Sequence, residues 1–196
     1  MSNEDFALLK ELLTDECKMT LDTAELEKLV SHAEIIELRR GEAICKYGMT
    51  DRNMYILLEG ILARFLFQGD KEIVDAFAQP GTFVCSWHSF YRDMPSITNI
   101  EACCDCRLLK IHKSSIEKIL NTSPVFCRWF CDLMMSTNYY FEMKNREIGG
   151  SIQERYIALA TKRPAIIQLV PLKTIAAYLG VTPRYLSALR AKLVKE

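Results

Sequence analysis

Val170-Pro171-Leu172-Lys173-Thr174-Ile175-Ala176-Ala177-Tyr178-Leu179-Gly180-Val181-Thr182-Pro183-Arg184-Tyr185-Leu186-Ser187-Ala188-Leu189-Arg190-Ala191-Lys192-Leu193 spells two short helices joined by a glycine turn. Leu172, Ile175, Ala176 and Leu179 recur at the spacing of one buried helix face, and Pro171 falls at a first-turn position where its missing N–H costs nothing. Gly180 ends that helix, because a left-handed residue is wanted there and glycine adopts it without steric cost. Thr182 caps the next helix, and Pro183 is preset at its first position. Leu186, Leu189 and Leu193 then face inward, leaving Arg184, Tyr185, Ser187, Ala188 and Lys192 outward. An αα-hairpin of any helical domain shares parts of this pattern. The turn glycine, the small Ala176 and Ala177 at the crossing, Val181 in the turn and the Thr-Pro cap together specify a helix-turn-helix.

The rest of the composition limits what this unit can belong to. The chain has 196 residues, 49% apolar and 26% charged, which fits one large and one small globular domain. Its formal net charge is zero, so any contact with a polyanion must come from local charge. The C-terminal stretch supplies it. Arg184, Arg190, Lys192 and Lys195 are opposed only by Glu196, and Lys162, Arg163 and Lys173 lie shortly before. No apolar run is long enough to span a bilayer, and the Met1-Ser2-Asn3-Glu4-Asp5 start is acidic where a signal peptide is basic, so no membrane partner and a cytoplasmic protein are expected. The eight cysteines are read as reduced core or turn residues. Cys103, Cys104 and Cys106 cluster, but His32, His88 and His112 stand far apart in sequence and the spacing gathers no ligand set, so no metal site is expected.

Upstream, Asp5 to Leu13 and Asp22 to His32 read as amphipathic helices. From Ala33 to Lys110 the period changes. Gly41, Gly48, Gly60, Gly69 and Gly81 fall at intervals of roughly ten residues, with β-prone runs between them, including Met54 to Leu58, Ile61 to Phe67 and Ile73 to Phe77. That is the pattern of an all-β roll. Tyr55 to Gly60 followed by Ile61 to Arg64 reads as a strand, a tight glycine turn and a returning strand, and Gln68-Gly69-Asp70-Lys71 as a second hairpin tip. Helical period resumes at Lys113 to Leu120. Pro124 then opens a long helix that can run to Ile148. Phe126, Trp129, Phe130, Leu133, Thr137, Tyr140 and Phe141 form one apolar stripe, and Met134, Met135, Tyr139 and Met143 broaden it onto a second face. A helix apolar on two sides is buried on two sides. One side is assigned to the roll and the other to a second copy of the chain, giving a two-fold homodimer, with a central helix of a monomer as the alternative. Gly149-Gly150 interrupts the helix as a hinge, before a capping box from Ser151 to Glu154.

The expected fold class is therefore α+β. It comprises an N-terminal β jelly roll with its leading helices over residues 1–121, a long dimerisation helix over 122–148, and an all-α helix-turn-helix domain over 149–196. In this order of parts the chain resembles the Crp/Fnr family of bacterial transcription regulators, whose sensor is a cyclic-nucleotide-binding-like jelly roll. The strongest local matches are Arg39-Arg40-Gly41-Glu42 with Gly48, Tyr55 through Gly60, Pro80-Gly81-Thr82-Phe83, and Ile100-Glu101-Ala102. Glu154-Arg155-Tyr156 and Val170 through Leu193, with no β-wing after them, resemble the wingless form typical of Bacteroidetes relatives.

The resemblance implies a non-enzymatic regulator that binds a palindromic operator in double-stranded DNA as a homodimer, with RNA polymerase as a further candidate partner. It places Pro183, Arg184 and Ala188 at base-reading positions and Lys173, Thr182 and Tyr185 at phosphate-contacting ones, with Ser187 on the same outward face. Two-fold related helices would enter major grooves about 34 Å apart. The resemblance also implies a departure from the cyclic AMP readers. Ser86 and Ser96 stand where the ribose-binding glutamate and the phosphate-clamping arginine are expected, and a serine cannot replace the charge-assisted grip of an arginine. Cyclic AMP is thus not the expected effector, and no cofactor is expected. Either a small-molecule effector binds a pocket lined by Ser86, Trp87, Ser89, Ser96, Thr98, Asn138 and Tyr140, or those positions are filled by their own side chains. Only Cys17 lies near the N-terminus, where iron-sulfur relatives gather several cysteines. His88 is the one candidate haem position and reads as an ordinary polar group. The alternative function is a module binding a cyclic nucleotide or other small ligand without specific DNA recognition.

Overall fold

The computed structural model describes residues 1–16, 19–69, 71–147 and 149–193. Cys17, Asp70, Ile148, Lys195 and Glu196, named above, lie outside the described residues. Two helices lead, α1 (Asn3–Glu16) and α2 (Thr23–Ser31), the second capped by Asp22, whose carboxylate accepts from the Glu25 N–H.

Eight strands follow: β1 (Ala33–Leu38), β2 (Ala43–Cys45), β3 (Asn53–Glu59), β4 (Leu62–Gln68), β5 (Lys71–Ala78), β6 (Phe83–Val84), β7 (Thr98–Ala102) and β8 (Cys106–His112), with the one-turn helix α3 (Trp87–Phe90) after β6. They form two antiparallel four-stranded sheets, β1-β8-β3-β6 and β2-β7-β4-β5. Strand β3 is buried on both faces, which is why Met54-Tyr55-Ile56-Leu57-Leu58 reads as an unbroken apolar run. Tyr55 and Leu57 point between the sheets with Leu62, Ile100 and Leu108. Met54, Ile56 and Leu58 point outward under the helices.

One sequence expectation is corrected here. β3 and β4 do not form a hairpin; they belong to opposite sheets, and β4 pairs with β5 and β7 instead. The chain crosses at Gly60, whose φ is 93° and where an added Cβ would lie 2.5 Å from Cys106 Sγ and 2.6 Å from the Asp105 carbonyl. Only glycine fits that crossing. The second tip is a hairpin, with Gln68 opposite Lys71.

Four more helices follow: α4 (Lys113–Thr122), α5 (Pro124–Glu147), α6 (Ile152–Lys162) and α7 (Pro164–Leu169). Ser123 starts α5 by accepting from the Phe126 N–H while its own hydroxyl donates to buried Glu25 at 2.6 Å. Phe126, Trp129 and Leu133 pack on the outer face of the first sheet, with the Trp129 ring 5.6 Å from Phe83. The chain ends in α8 (Leu172–Leu179) and α9 (Pro183–Leu193). Pro171 is the N-cap of α8 rather than its first helical residue, and α7 is an element the sequence reading did not anticipate. These C-terminal helices share one hydrophobic cluster with the second sheet, in which Ile61, Ala63, Val74 and Phe77 meet Tyr156, Ile166, Ile175 and Ala176. The Tyr178 and Phe77 rings lie 4.9 Å apart at that junction. Among the described residues no helix is long and apolar enough to cross a membrane.

Candidate functional site

The C-terminal pair is built as a rigid corner. Gly180 adopts the left-handed conformation (φ 74°, ψ 28°), and its N–H returns to the carbonyls of Ala176 and Ala177. Arg155 of α6 donates to the carbonyls of Leu179 at 3.3 Å and Tyr178 at 3.4 Å, serving the end of α8. Thr182 Oγ1 accepts from the Tyr185 N–H at 3.2 Å and caps α9. Leu186 and Leu189 are buried, whereas Thr182, Pro183, Arg184, Tyr185, Ser187 and Ala188 are exposed, as is Lys173 on α8. The outward face of α9 therefore carries Arg184, the Tyr185 hydroxyl, Ser187 and Lys192.

The candidate pocket residues divide differently. Ser86, Ser89, Ser96 and Thr98 are buried among themselves and line neither cavity described below. Ser96 Oγ lies 2.8 Å from both Ser86 Oγ and the Thr98 carbonyl, and accepts from the Thr98 N–H at 3.1 Å. Its backbone is pinned too, by Gly48 N–H donating to the Ser96 carbonyl at 2.8 Å and Ser96 N–H to the Met49 carbonyl at 2.9 Å. Ser89 Oγ accepts from the Asp51 N–H at 2.6 Å. The Asp51 carboxyl is held above the ordinary carboxylate range, chiefly by burial, while its bonds to Asn53 and Tyr55 oppose the shift. Burial likewise pushes up the Cys45 and Cys85 thiols and the Tyr55 phenol. His88, on α3, is bonded through Nδ1 to the Pro95 carbonyl at 2.8 Å.

Two cavities lie elsewhere. One of about 170 Å³ sits between the second sheet, the β5–β6 turn and α5, and includes Trp87 and Tyr140 from the expected set. Its polar lining is otherwise new: Arg64, Gln79, Thr82, Ser136, Thr137 and Arg163. A larger one, about 290 Å³, opens where β5, the end of α5, α6 and α8 meet. The two share Tyr140 and Arg163 as a common wall, with Arg163 Nη1 donating to the Tyr140 hydroxyl at 2.9 Å and its guanidinium 4.8 Å from the ring centroid. Asn138 faces neither cavity. It lies on the exposed side of α5 with Met135, Tyr139 and Glu142, around a shallow depression. Of the second apolar face, Met135 and Tyr139 are each 63% exposed, whereas Met134 packs on the core and Met143 lines the larger cavity. Gly149 and Gly150 form the turn between α5 and α6, and Ser151 closes a capping box with Glu154. Cys103 and Cys106 are buried, the latter's thiol 3.5 Å from the Ile61 carbonyl at the sheet crossing.

With this geometry in view, residues 35–123 match the family model of the cyclic nucleotide-binding domain. No curated protein sequence matches the chain. Among solved structures, it is similar to the c-di-GMP responsive global regulator CLP of Xanthomonas campestris, at 15% identity and a TM-score of 0.70 over 89% of this chain and 92% of that one. It is similar to FixK2 from Bradyrhizobium japonicum at 19% identity and a TM-score of 0.65, over 83% and 85% of the two chains. A third similarity is to cAMP-bound PfPKA-R, at 16% identity and a TM-score of 0.54 over 61% of this chain. This chain spans 43% of the length of that structure. At these identities the likeness is one of fold: the sandwich is of the cyclic nucleotide-binding type and stands before C-terminal helices.

Proposed function

We propose that the chain is a homodimeric, sequence-specific DNA-binding transcription regulator of the Crp/Fnr type. The observation that carries this reading is the α8–Gly180–α9 corner, with Leu186 and Leu189 buried and Arg184, Tyr185, Ser187 and Ala188 outward. In this reading α9 lies in a major groove, where Arg184 pairs with a guanine edge and Ala188 meets a thymine methyl, while Lys173, Thr182 and Tyr185 hold phosphates. The exposed seam of α5, with Cys131, Met135, Asn138, Tyr139 and Glu142 at helical spacing, is the surface for the second copy.

Cyclic AMP is not the effector of this reading. Ser86 and Ser96 are each other's hydrogen-bond partners, and among the described residues the cluster is bonded by serine and threonine hydroxyls and by backbone groups, the Asp51 N–H among them, with no arginine or lysine to clamp a phosphate. Effector binding would instead bias how the C-terminal helices stand about Gly149-Gly150, and so change operator affinity. The test is selection of bound fragments from random double-stranded DNA with the intact protein and with Arg184→Ala. Enrichment of a palindrome with half-sites about one helical turn apart is expected, relaxed at one base position in the variant. No enrichment by a folded dimer at moderate salt overturns the reading. A second reading, a small-ligand module without DNA specificity, is favoured by the match of residues 35–123 and predicts that result.

A further inference from the structure

The larger cavity has an unusual charge balance. Among the described residues its lining holds one carboxylate, Asp75, against the cations Lys144, Arg155 and Arg163, besides Lys162, which has a partner of its own. That carboxylate is already engaged, because Arg64 grips both its oxygens from the neighbouring strand at 2.8 and 2.6 Å. Arg155 and Arg163 donate to backbone carbonyls and to a tyrosine hydroxyl. Such neutral acceptors satisfy an N–H without cancelling its charge. Lys144 is partly buried, with its ammonium 5.8 Å from the centroid of the Tyr178 ring. Its pKa is held below the ordinary lysine value, first by burial and then by Arg64, Arg163 and Arg155, with Asp75 opposing. A cluster of positive charge in a partly desolvated space is costly unless an anion completes it.

We propose that this cavity is the effector site of the protein and binds a small organic phosphate monoester, with Lys144, Arg155 and Arg163 around the dianionic head and its apolar body against Ala158 and Leu159. The charge count selects the class. A monoester carries close to two negative charges at neutral pH, whereas a cyclic phosphodiester or a monocarboxylate carries one. The volume of about 290 Å³ is at the lower end of the ligand-pocket range, which favours a ligand no larger than a mononucleotide. The position gives the ligand leverage. Its walls come from β5 of the roll, α5, α6 and α8, so a ligand touching all of them resists any motion that separates α8 from β5. The effector role rests on the regulator reading above; the binding itself does not.

The experiment is calorimetric titration of the intact protein with phenyl phosphate at low ionic strength, with phenol and benzoate as comparison ligands. Phenyl phosphate is expected to bind and phenol not to, with benzoate at least tenfold weaker. Lys144→Gln should weaken phenyl phosphate about tenfold, the loss of one charge-assisted contact. Ala158→Leu, which fills this cavity, should abolish binding, and Ala76→Leu, which fills the smaller one, should leave it unchanged. Thermal melts establish that each variant is folded, and Lys144→Gln carries the test should Ala158→Leu not fold. No binding of phenyl phosphate, equal binding of benzoate, indifference to Lys144→Gln, or loss in Ala76→Leu alone overturns the site. Binding that leaves the affinity for a selected operator unchanged overturns the effector role. Failure of the regulator reading itself shows separately, as no operator being selected at all.

Discussion

Around Ser96 the polar groups answer one another: Ser86, Thr98 and the 48–51 loop supply its partners within a few ångströms. Around Lys144, that lysine, Arg155 and Arg163 face a carboxylate that Arg64 already holds. The first region stands at the position that resemblance to nucleotide-binding relatives marks as a site, and its serines and threonine are satisfied within the chain. The second carries no such mark and has charge left over. What separates a structural polar cluster from a binding site is therefore whether its hydrogen bonds and charges balance within the chain, not which residue types it contains.

Breaking the comparison altogether takes a change that both regions depend on. Gly60→Ala should do so, because the added Cβ collides with Cys106 and the Asp105 carbonyl where the chain passes between sheets. A loss above about 3 kcal/mol in urea unfolding is expected; a normal midpoint would mean that the crossing is more pliant than described. Ser96→Ala should cost about 2 kcal/mol, since it strands the Ser86 hydroxyl and the Thr98 N–H, while phenyl phosphate titration stays as in the parent protein. Weakened titration would merge the two regions into one site. Ser151→Ala removes the cap of α6, the helix bearing Arg155, Ala158 and Lys162, and should cost about 1 kcal/mol by thermal melting.

Asp51→Asn sharpens the contrast through pH. The folded carboxyl titrates above its unfolded value, so the folded state binds more protons in the window between them, and stability falls as pH rises through it. Melts across pH 4 to 8 should lose that falling component in the variant, and an unchanged profile would remove Asp51 as its source. The smallest effect is expected at Lys144. Lys144→Met should leave unliganded stability within about 0.5 kcal/mol or raise it, because a partly buried cation whose nearest carboxylate is held by Arg64 contributes little to folding. A large loss would show that Lys144 is held by the fold rather than kept for a ligand.

The helices around Gly180 are legible in the sequence because local chemistry settles them: apolar spacing, a left-handed glycine and a threonine cap all act within a few residues. Strands β3, β4 and β5 are legible for the same reason. Which sheet each joins is not, since a glycine turn looks alike whether the chain returns alongside itself or crosses over, and the steric demand at Gly60 comes from Asp105 and Cys106 far along the chain. The serines are misleading by alignment, which transfers position and not hydrogen-bond partners. The larger cavity draws Asp75, Lys144, Arg155 and Tyr178 from four separate elements, so no local pattern announces it. Its nearest signal is Lys144 next to Met143, a cation bordering the apolar face of a long helix.

Tyr178 against Phe77 has a bearing on how this chain can be divided. The C-terminal helices and the second sheet share one apolar cluster, so severing the chain at Gly149-Gly150 would bare Val74 and Phe77 on one piece and Ile175 and Tyr178 on the other. Each fragment would carry a wet hydrophobic face and a tendency to self-associate. Chimeras that graft a foreign DNA module onto this roll therefore have to reproduce the α8 surface as well as the recognition face, or redesign the sheet beneath it.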